Sequence, residues 1–276
     1  MTATRRWLVL CVVLMGTFMT ILDVAIVNVA IPSIRADLSA SFGEIEFVIS
    51  AYTLTYACLL VTGGRLGDNF GRKHLFNLGL LIFSAASAAC GLAPSSEILI
   101  AARAVQGIGG ALMYPQVLAI IQITFAGNDR AKALAVFGSV IGIAAIAGQI
   151  LGGTLLALNI WGLEWRPIFL VNVPLGLATI VAAIFVLPKE EKREAVGLDW
   201  GGVALITPAL LLLVIPLLEG RELGWPLWSI VCFAAAFPLF AAFIFYEKRF
   251  GKHGGRPLVR LELFKCRSFS FGVPIA

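Results

Sequence analysis

Long apolar runs separated by short polar breaks dominate this sequence. Each run holds about 20 apolar residues, the length that a helix needs to cross the hydrocarbon core of a bilayer. The breaks carry proline, glycine or charged residues, which favour helix ends. The pattern predicts eight membrane-spanning helices, at residues 7–29, 47–66, 75–93, 98–122, 132–158, 167–187, 200–218 and 226–246.

Composition supports this all-α polytopic membrane fold. Hydrophobic residues make up 59% of the chain and charged residues 13%, whereas a soluble domain carries about 25% charged residues. The mean hydropathy is +0.94. We therefore expect no soluble enzyme. The sequence shows no metal-ligand cluster, nucleophile elbow or phosphate-binding loop, so we expect neither a metal nor a cofactor.

The basic residues are distributed very unevenly between the two sides of the predicted membrane. Of the 21 lysines and arginines, all but Arg35, Arg103, Arg166 and Arg221 fall on the side that holds the N-terminus. Basic loops remain in the cytoplasm, so we expect the N-terminus and residues 247–268 to be cytoplasmic, with the plasma (inner) membrane of a bacterium as the host membrane. The net charge of +5 then reflects orientation in a lipid membrane and not binding of nucleic acid.

Loop lengths divide the chain into segments. The first six spans have short loops, which predicts one six-helix bundle, and a charge cluster follows it at residues 189–194. The predicted segments are the bundle at 1–187, a cytoplasmic linker at 188–199, two additional spans at 200–246, a basic cytoplasmic segment at 247–268 and the start of a further, truncated helix at 269–276.

Two charged residues at membrane depth are the candidates for chemistry. Asp23 is the only acid inside a predicted span, and placing a carboxylate in hydrocarbon costs about 2.5–3.5 kcal/mol on insertion scales. Asp23 should therefore face a cavity or a partner, as a proton site would. Arg103 stays charged and requires a carboxylate or carbonyl groups, and Asp23 is one candidate partner. The alternative for both is a side chain near the outer end of its helix that reaches the headgroups.

A short charged segment rich in glycine joins the second and third runs. Glycines such as Gly64 and Gly71 allow a sharp turn and close backbone approach. Asp68 and Arg72 are four residues apart, a spacing at which an ion pair can form on a helix. The segment 64–73, which ends at Lys73, therefore predicts a tight turn between two antiparallel helices.

Glycines also mark the fifth run. Gly138, Gly142, Gly148 and Gly152 fall within about 120° of one another on a helix, which predicts a groove for close helix packing, with Gly153 beside it. Polar residues in the spans are candidates for substrate contacts, and hydrogen bonds between helices are the alternative use. The substrate-contact candidates are Asn28, Gln106 and Gln149.

Several of these segments resemble one family, the major facilitator superfamily. The segment 64–73 is similar to its loop motif G-x-L-x-D-x-x-G-R-K, and residues 103–111 resemble its helix 4 motif R-x-x-Q-G-x-G-x-A, with Gly110 as an extra glycine. Residues 148–153 resemble the antiporter motif G-P-x-x-G-G, with Gln149 in place of proline. Residues 22–32 and 165–176 resemble helix 1 and helix 6 motifs of the fourteen-span drug:proton antiporters.

The resemblance implies a fold and a role for each motif. It implies a six-helix N-terminal bundle, two extra spans and a second bundle, before which this chain is truncated. Asp68 would pair with Arg130 in a charge cluster that locks the cytoplasmic gate, and Asp23 and Arg103 would be proton-relay residues. The proton gradient would supply the energy.

We therefore expect a multidrug efflux transporter that exchanges a lipophilic or drug-like compound for a proton by alternating access. Transport would require the missing second half. Two alternatives remain: a non-transporting truncated product or partner subunit that needs a separate second half, and a facilitator or proton symporter on the same fold.

Overall fold

A computed structural model describes residues 1–188, 199–220 and 224–252. Among these residues, eight helical segments are long and apolar enough to cross a membrane, as the sequence pattern predicts. The chain divides into two compact units, Met1–Arg193 and Glu194–Ala276. The predicted basic segment 247–268, the truncated helix 269–276 and most of the linker 188–199 lie outside the described residues.

The first unit is a helical bundle. Its helices are α1 (Ala3–Asp37), α2 (Phe42–Phe70), α3 (Arg72–Gly91), α4 (Ser96–Thr124), α5 (Gly127–Leu158), α6 (Pro167–Leu170) and α7 (Asn172–Val186), with a short 3₁₀ turn at Ile160–Gly162. α4 packs against α2 and α3, and α1 packs against α5 and α7. Most helices extend several residues beyond the apolar runs, because polar end residues continue the helical hydrogen bonding outside the hydrocarbon.

Local sequence sets the helix ends. Ser41 caps α2 through a capping box, in which the Ser41 hydroxyl accepts the Glu44 backbone N–H and the Glu44 carboxylate accepts the Ser41 N–H, an arrangement that satisfies two free N–H groups. The Ser96 hydroxyl at the start of α4 also donates to Glu44. Glu44 thus links the first turns of α2 and α4.

The tight turn predicted within the segment 64–73 is confined to Gly71, because helix occupies the rest of the segment. α2 continues to Phe70 and α3 begins at Arg72, so Gly71 alone joins them, with φ of 95°. Only glycine adopts that backbone angle readily. The other glycines here serve helix packing: a Cβ at Gly67 would overlap the amide group of Gln116 on α4.

The sixth span is also interrupted. The pattern predicts one helix over residues 167–187, whereas the structure has α6 and α7 separated at Val171. Pro174 lacks an N–H group and so cannot bond to the carbonyl of residue 170, which breaks the helical ladder at this point. The break immediately precedes Asn172, whose side chain is buried in the bundle.

One end of the bundle is held by polar contacts to Asp37, the last residue of α1. The Trp165 indole N–H donates to Asp37 Oδ2 at 2.9 Å, and the Arg166 guanidinium donates to the same oxygen at 2.8 Å. These bonds fix the chain just before α6. They thereby set where α6 and α7 enter the bundle.

The second unit contains two described helices, α8 (Trp200–Glu219) and α9 (Leu227–Lys252). Asp199 caps α8, because its Oδ1 accepts the Gly202 N–H at 2.9 Å. The same oxygen accepts the Tyr246 hydroxyl of α9 at 2.8 Å. A small apolar cluster around Ile206 and Phe243 packs between the two helices.

Candidate functional site

Asp23 and Arg103 form an ion pair inside the bundle. Arg103 Nη1 lies 2.5 Å from Asp23 Oδ2, and the two residues are 0% and 1% exposed. Both side chains are enclosed by the bundle, which favours a partner inside it over a side chain that reaches the headgroups. α1 supplies the carboxylate and α4 the guanidinium, and α1 and α4 pack against each other.

The other oxygen of Asp23 is held by two amide groups. Gln106 Nε2 donates to Asp23 Oδ1 at 2.7 Å, and Asn172 Nδ2 donates to it at 3.0 Å. Asp23 therefore accepts three hydrogen bonds, from α4 and α7. A buried carboxylate is tolerated only when it is paired and hydrogen-bonded in this way.

Ser87 on α3 connects the two amides. Its hydroxyl accepts from Gln106 Nε2 at 3.3 Å and from Asn172 Nδ2 at 3.1 Å, and it donates to the Phe169 carbonyl at 2.9 Å. The polar cluster, defined as Asp23, Ser87, Arg103, Gln106 and Asn172, thus joins four helices. Asn172 Oδ1 is buried and accepts no hydrogen bond from any described residue.

Arg103 is positioned by further groups. Its Nη1 also donates to Gln106 Oε1 at 2.8 Å, and its Nε donates to the Val48 carbonyl of α2 at 3.1 Å. The guanidinium carbon lies 4.4 Å from the centre of the Tyr52 ring, a distance at which cation–π attraction operates. If Asp23 became neutral, these contacts would still hold the charge of Arg103 inside the bundle.

Only part of this cluster is predictable from the sequence. Asp23, Arg103 and Gln106 come together, whereas the other two candidates for substrate contacts, Asn28 and Gln149, are exposed and lie outside it. Ser87 carried no sequence signal, because small polar residues are common in spans. Asn172 did carry one, as an amide inside an apolar run.

The fifth-run glycines separate into two groups. A Cβ at Gly148 would lie 2.6 Å from Ala25 Cβ, and one at Gly152 would lie 3.0 Å from Ile26 Cγ1, so both pack closely on α1. A Cβ added at the other three glycines would meet no atom of the described residues within 4 Å; these are Gly138, Gly142 and Gly153. Gly148 and Gly152 thus pack on α1, while close packing at the other three glycines stays a prediction.

The second charged cluster lies at the α2–α3 junction. Arg72 Nη2 lies 2.9 Å from Asp68 Oδ1, the ion pair that the spacing predicts. Arg130 instead donates to the carbonyls of Phe125 and Gln122, at 2.9 and 3.0 Å. The Asp68–Arg130 pair that the resemblance implied is thus not present among the described contacts.

Lys73 connects this junction to the end of the sixth span. Its Nζ donates to the Ile184 and Leu187 carbonyls, both at 2.7 Å. A cation at a helix C-terminus satisfies free carbonyls and is favoured by the helix dipole. Lys73 therefore fixes the C-terminus of α7 beside the start of α3.

A protein family and several known transporters match this chain in sequence. A family model described as Major Facilitator Superfamily matches residues 13–258. The chain is 42% identical to a "Probable actinorhodin transporter" of Streptomyces coelicolor, with 99% of this chain and 47% of the relative covered. It is 34% identical to a tetracenomycin C resistance and export protein of Streptomyces glaucescens (97% and 49% covered). A multidrug transporter protein of Bacillus subtilis is 33% identical (97% and 48% covered).

Solved structures agree on the fold. A bacterial homologue of the lysosomal transporter Spinster aligns with a TM-score of 0.61 at 18% identity, over 91% of this chain and 63% of that one. A proton:xylose symporter aligns with a TM-score of 0.58 at 14% identity, over 92% and 57%. The chain spans about half the length of the curated relatives it matches.

Proposed function

Because the chain belongs to the Major Facilitator Superfamily, we propose that it supplies one six-helix half of an efflux transporter that exchanges drug-like compounds for protons. The named exporters among its relatives support efflux. In this proposal, the two helices of the second unit are the extra pair of a fourteen-span transporter. Transport by alternating access requires a second half, which rocks against this bundle.

The buried ion pair between Asp23 and Arg103 is the observation that supports proton coupling. Ionisable groups at membrane depth are costly and mark proton or substrate pathways. A proton that binds Asp23 Oδ2 would cancel the attraction of the carboxylate for Arg103. The guanidinium of Arg103 would then be held by the Val48 carbonyl, Gln106 and the Tyr52 ring, which already contact it.

This exchange gives the cluster two arrangements. In the charged arrangement, Asp23 holds amide groups from α4 and α7 as well as Arg103. In the protonated arrangement, it loses the ion pair and part of its hold on those helices. A proton and a substrate that each favour one arrangement would then compete, as antiport requires.

The Asp68–Arg72 junction is our candidate for the gate. It joins α2 to α3 through one glycine, and Lys73 ties it to the end of α7. A movement of α2 relative to α3 during transport would therefore act on this junction. We propose that it faces the cytoplasm together with the N-terminus and residues 247–268, in the bacterial plasma membrane, because the basic residues concentrate on that side.

The proton proposal is tested with Asp23→Asn in a transporter that joins this chain to a second half. Asparagine has nearly the same size but cannot take up a proton. We expect proton release on substrate binding, measured with a pH dye, to be lost, because the asparagine side chain carries no proton to exchange. Gradient-driven efflux from vesicles should fall with it.

Asp129→Asn is the matched control. Asp129 pairs with Lys132 at 3.6 Å on the surface, where both side chains are substantially exposed, so the same substitution should leave proton release intact. Proton release by Asp23→Asn at the wild-type level would show that coupling does not use Asp23. Efflux that persists without a proton gradient would instead indicate a facilitator.

A further inference from the structure

The side-chain amide of Asn172 is satisfied on one side only. Its Nδ2 donates to Asp23 Oδ1 at 3.0 Å and to Ser87 Oγ at 3.1 Å. Its Oδ1 is buried and accepts no hydrogen bond from any described residue, and Asn172 is 0% exposed. A buried acceptor without a donor is destabilising and rare in folded proteins, so this oxygen requires an explanation.

The charge on Asp23 explains why the amide of Asn172 is turned this way. An ionised carboxylate only accepts hydrogen bonds, so it requires the NH₂ group of the amide to face it. Every hydrogen-bond partner of Asp23 among the described residues is a donor; these are Arg103 Nη1, Gln106 Nε2 and Asn172 Nδ2. This arrangement provides no acceptor for the hydroxyl group of a protonated Asp23.

The other side-chain oxygens near Asp23 are already engaged. Gln106 Oε1 accepts from Arg103 Nη1 at 2.8 Å and from the Cys90 thiol at 3.7 Å, so turning that amide would bring its NH₂ group against a guanidinium. Ser87 Oγ accepts from two amide groups. Within the polar cluster, Asn172 Oδ1 is the buried oxygen that no described residue occupies.

We propose that Asn172 is a positioning residue that changes from donor to acceptor when Asp23 takes up a proton. The proton comes from solvent and forms an O–H bond on the carboxylate, and apart from this only hydrogen bonds are exchanged. The amide makes a half-turn, so that Oδ1 replaces Nδ2 and accepts the new hydroxyl group. This role rests on the proposed proton uptake at Asp23 and identifies the group that stabilises the protonated form.

No side chain has to leave its place for this exchange. The terminal torsions of asparagine and aspartate are broad and roughly two-fold. A half-turn about χ2 therefore interchanges Oδ1 and Nδ2 of Asn172, and another presents a proton on Asp23 Oδ2 to that amide. The Ser87 hydroxyl hydrogen can rotate from the Phe169 carbonyl towards Asn172 Oδ1. Nδ2 then occupies the place where Oδ1 had no partner, so Asn172 has one unpaired group in either state.

The exchange acts differently on the two helices that hold Asp23. Protonation removes the charge that pairs with Arg103 of α4, whereas the bond to Asn172 persists with its direction reversed. Asn172 is the first residue of α7, directly after the break at Val171. Proton uptake would therefore weaken the ion pair between α1 and α4 and leave α1 bound to α7.

The groups around Asp23 allow its protonation to be observed separately. Arg103 on α4 stays charged. The Tyr52 phenol on α2 and the Cys90 thiol on α3 lose their protons only in more alkaline solution, and α7 carries no charged residue. A transition of this cluster in acid therefore belongs to Asp23.

Infrared difference spectra between mildly alkaline and acidic buffer test this switch. The purified chain in lipid nanodiscs carries carbon-13 in the side-chain amide of asparagine, which separates these C=O bands from those of the backbone. We expect acidification to produce a carboxyl C=O band that is absent from Asp23→Asn. At the same pH, one asparagine C=O band should move to lower wavenumber, because the carbonyl of Asn172 gains a donor.

Asn172→Thr assigns the band, since the shift should be lost from its spectrum, and Asn172→Ser is the second variant for the same purpose. Asn28→Thr is the matched control, because Asn28 is exposed on α1, and it should keep the shift. A band that persists in Asn172→Thr would overturn the switch.

Two results with the unmodified chain separate the switch from the proton proposal. An Asp23 carboxyl band without any asparagine band that moves to lower wavenumber would overturn the switch and leave proton uptake at Asp23 intact. Absence of the Asp23 carboxyl band would overturn the proton proposal, and the switch with it.

Discussion

Two adjacent glycines on α2 should respond oppositely to the same substitution. At Gly63 the helix lies so close to α4 that an added Cβ would be 2.9 Å from the Ala111 carbonyl carbon and 3.2 Å from Leu112 Cα, and closer still to the Ala111 oxygen. At Gly64 the added Cβ would meet Pro115 Cβ at 3.6 Å, an ordinary contact. We therefore predict that Gly63→Ala destabilises the bundle and that Gly64→Ala does not.

The size of the expected change in the free energy of unfolding follows from the atoms that the added Cβ would meet. The groups that a Gly63 side chain would meet are backbone atoms, so no side chain can rotate away and the two helices must separate. Overpacking of this kind costs about 1–3 kcal/mol. Gly64→Ala meets no such obstacle and removes the glycine penalty in a helix, about 0.5–1 kcal/mol. The two variants should thus differ by about 1.5–4 kcal/mol in the free energy of unfolding.

Unfolding in mixed micelles with increasing sodium dodecyl sulfate, followed by circular dichroism, measures this difference. Gly64→Ala is the control, because it adds the same methyl group one position away. Equal unfolding midpoints for the two variants would refute the close α2–α4 crossing. A lower midpoint for Gly64→Ala would place the close contact on the wrong face of α2.

Two further predictions concern the gate and the topology. Asp68→Asn, in a transporter with a second half, should abolish efflux while membrane insertion stays near normal, because it removes the charge that pairs with Arg72 without changing the size of the side chain. Efflux at the wild-type rate would show that the Asp68–Arg72 pair only helps to connect two helices. Cysteine tags at positions 1 and 255 should be shielded from an impermeant reagent added outside, and a tag at 222 should react. Positions 1 and 255 on opposite sides would mean an odd number of spans.

The functional cluster could be predicted only in part. Asp23 and Arg103 stand out in the sequence because charges at membrane depth are costly wherever the helices lie. Of their partners, Gln106 and Asn172 stand out only as amides inside apolar runs. Ser87 is one small polar residue among many, and Asn172 acquires its role from the break in the sixth span.

Packing faces were predicted less well than spans. A helical wheel places Gly138, Gly142, Gly148 and Gly152 on one side of α5, but it does not tell where along the helix α1 ends its contact. Arg130 shows the same limit for charges. Its nearest acceptors are backbone carbonyls at the end of α4, which no pattern of side chains reveals.

The sequence by itself determined the eight spans, because hydrocarbon thickness fixes helix length and the unfavourable burial of charge fixes the breaks. Only the tertiary structure decided which polar groups meet. Asp23 pairs with Arg103 across 80 positions and with Asn172 across 149. Such contacts depend on how whole helices pack, and that packing is set by many small complementary surfaces, such as those at Gly63 and Gly148, and not by any single local pattern.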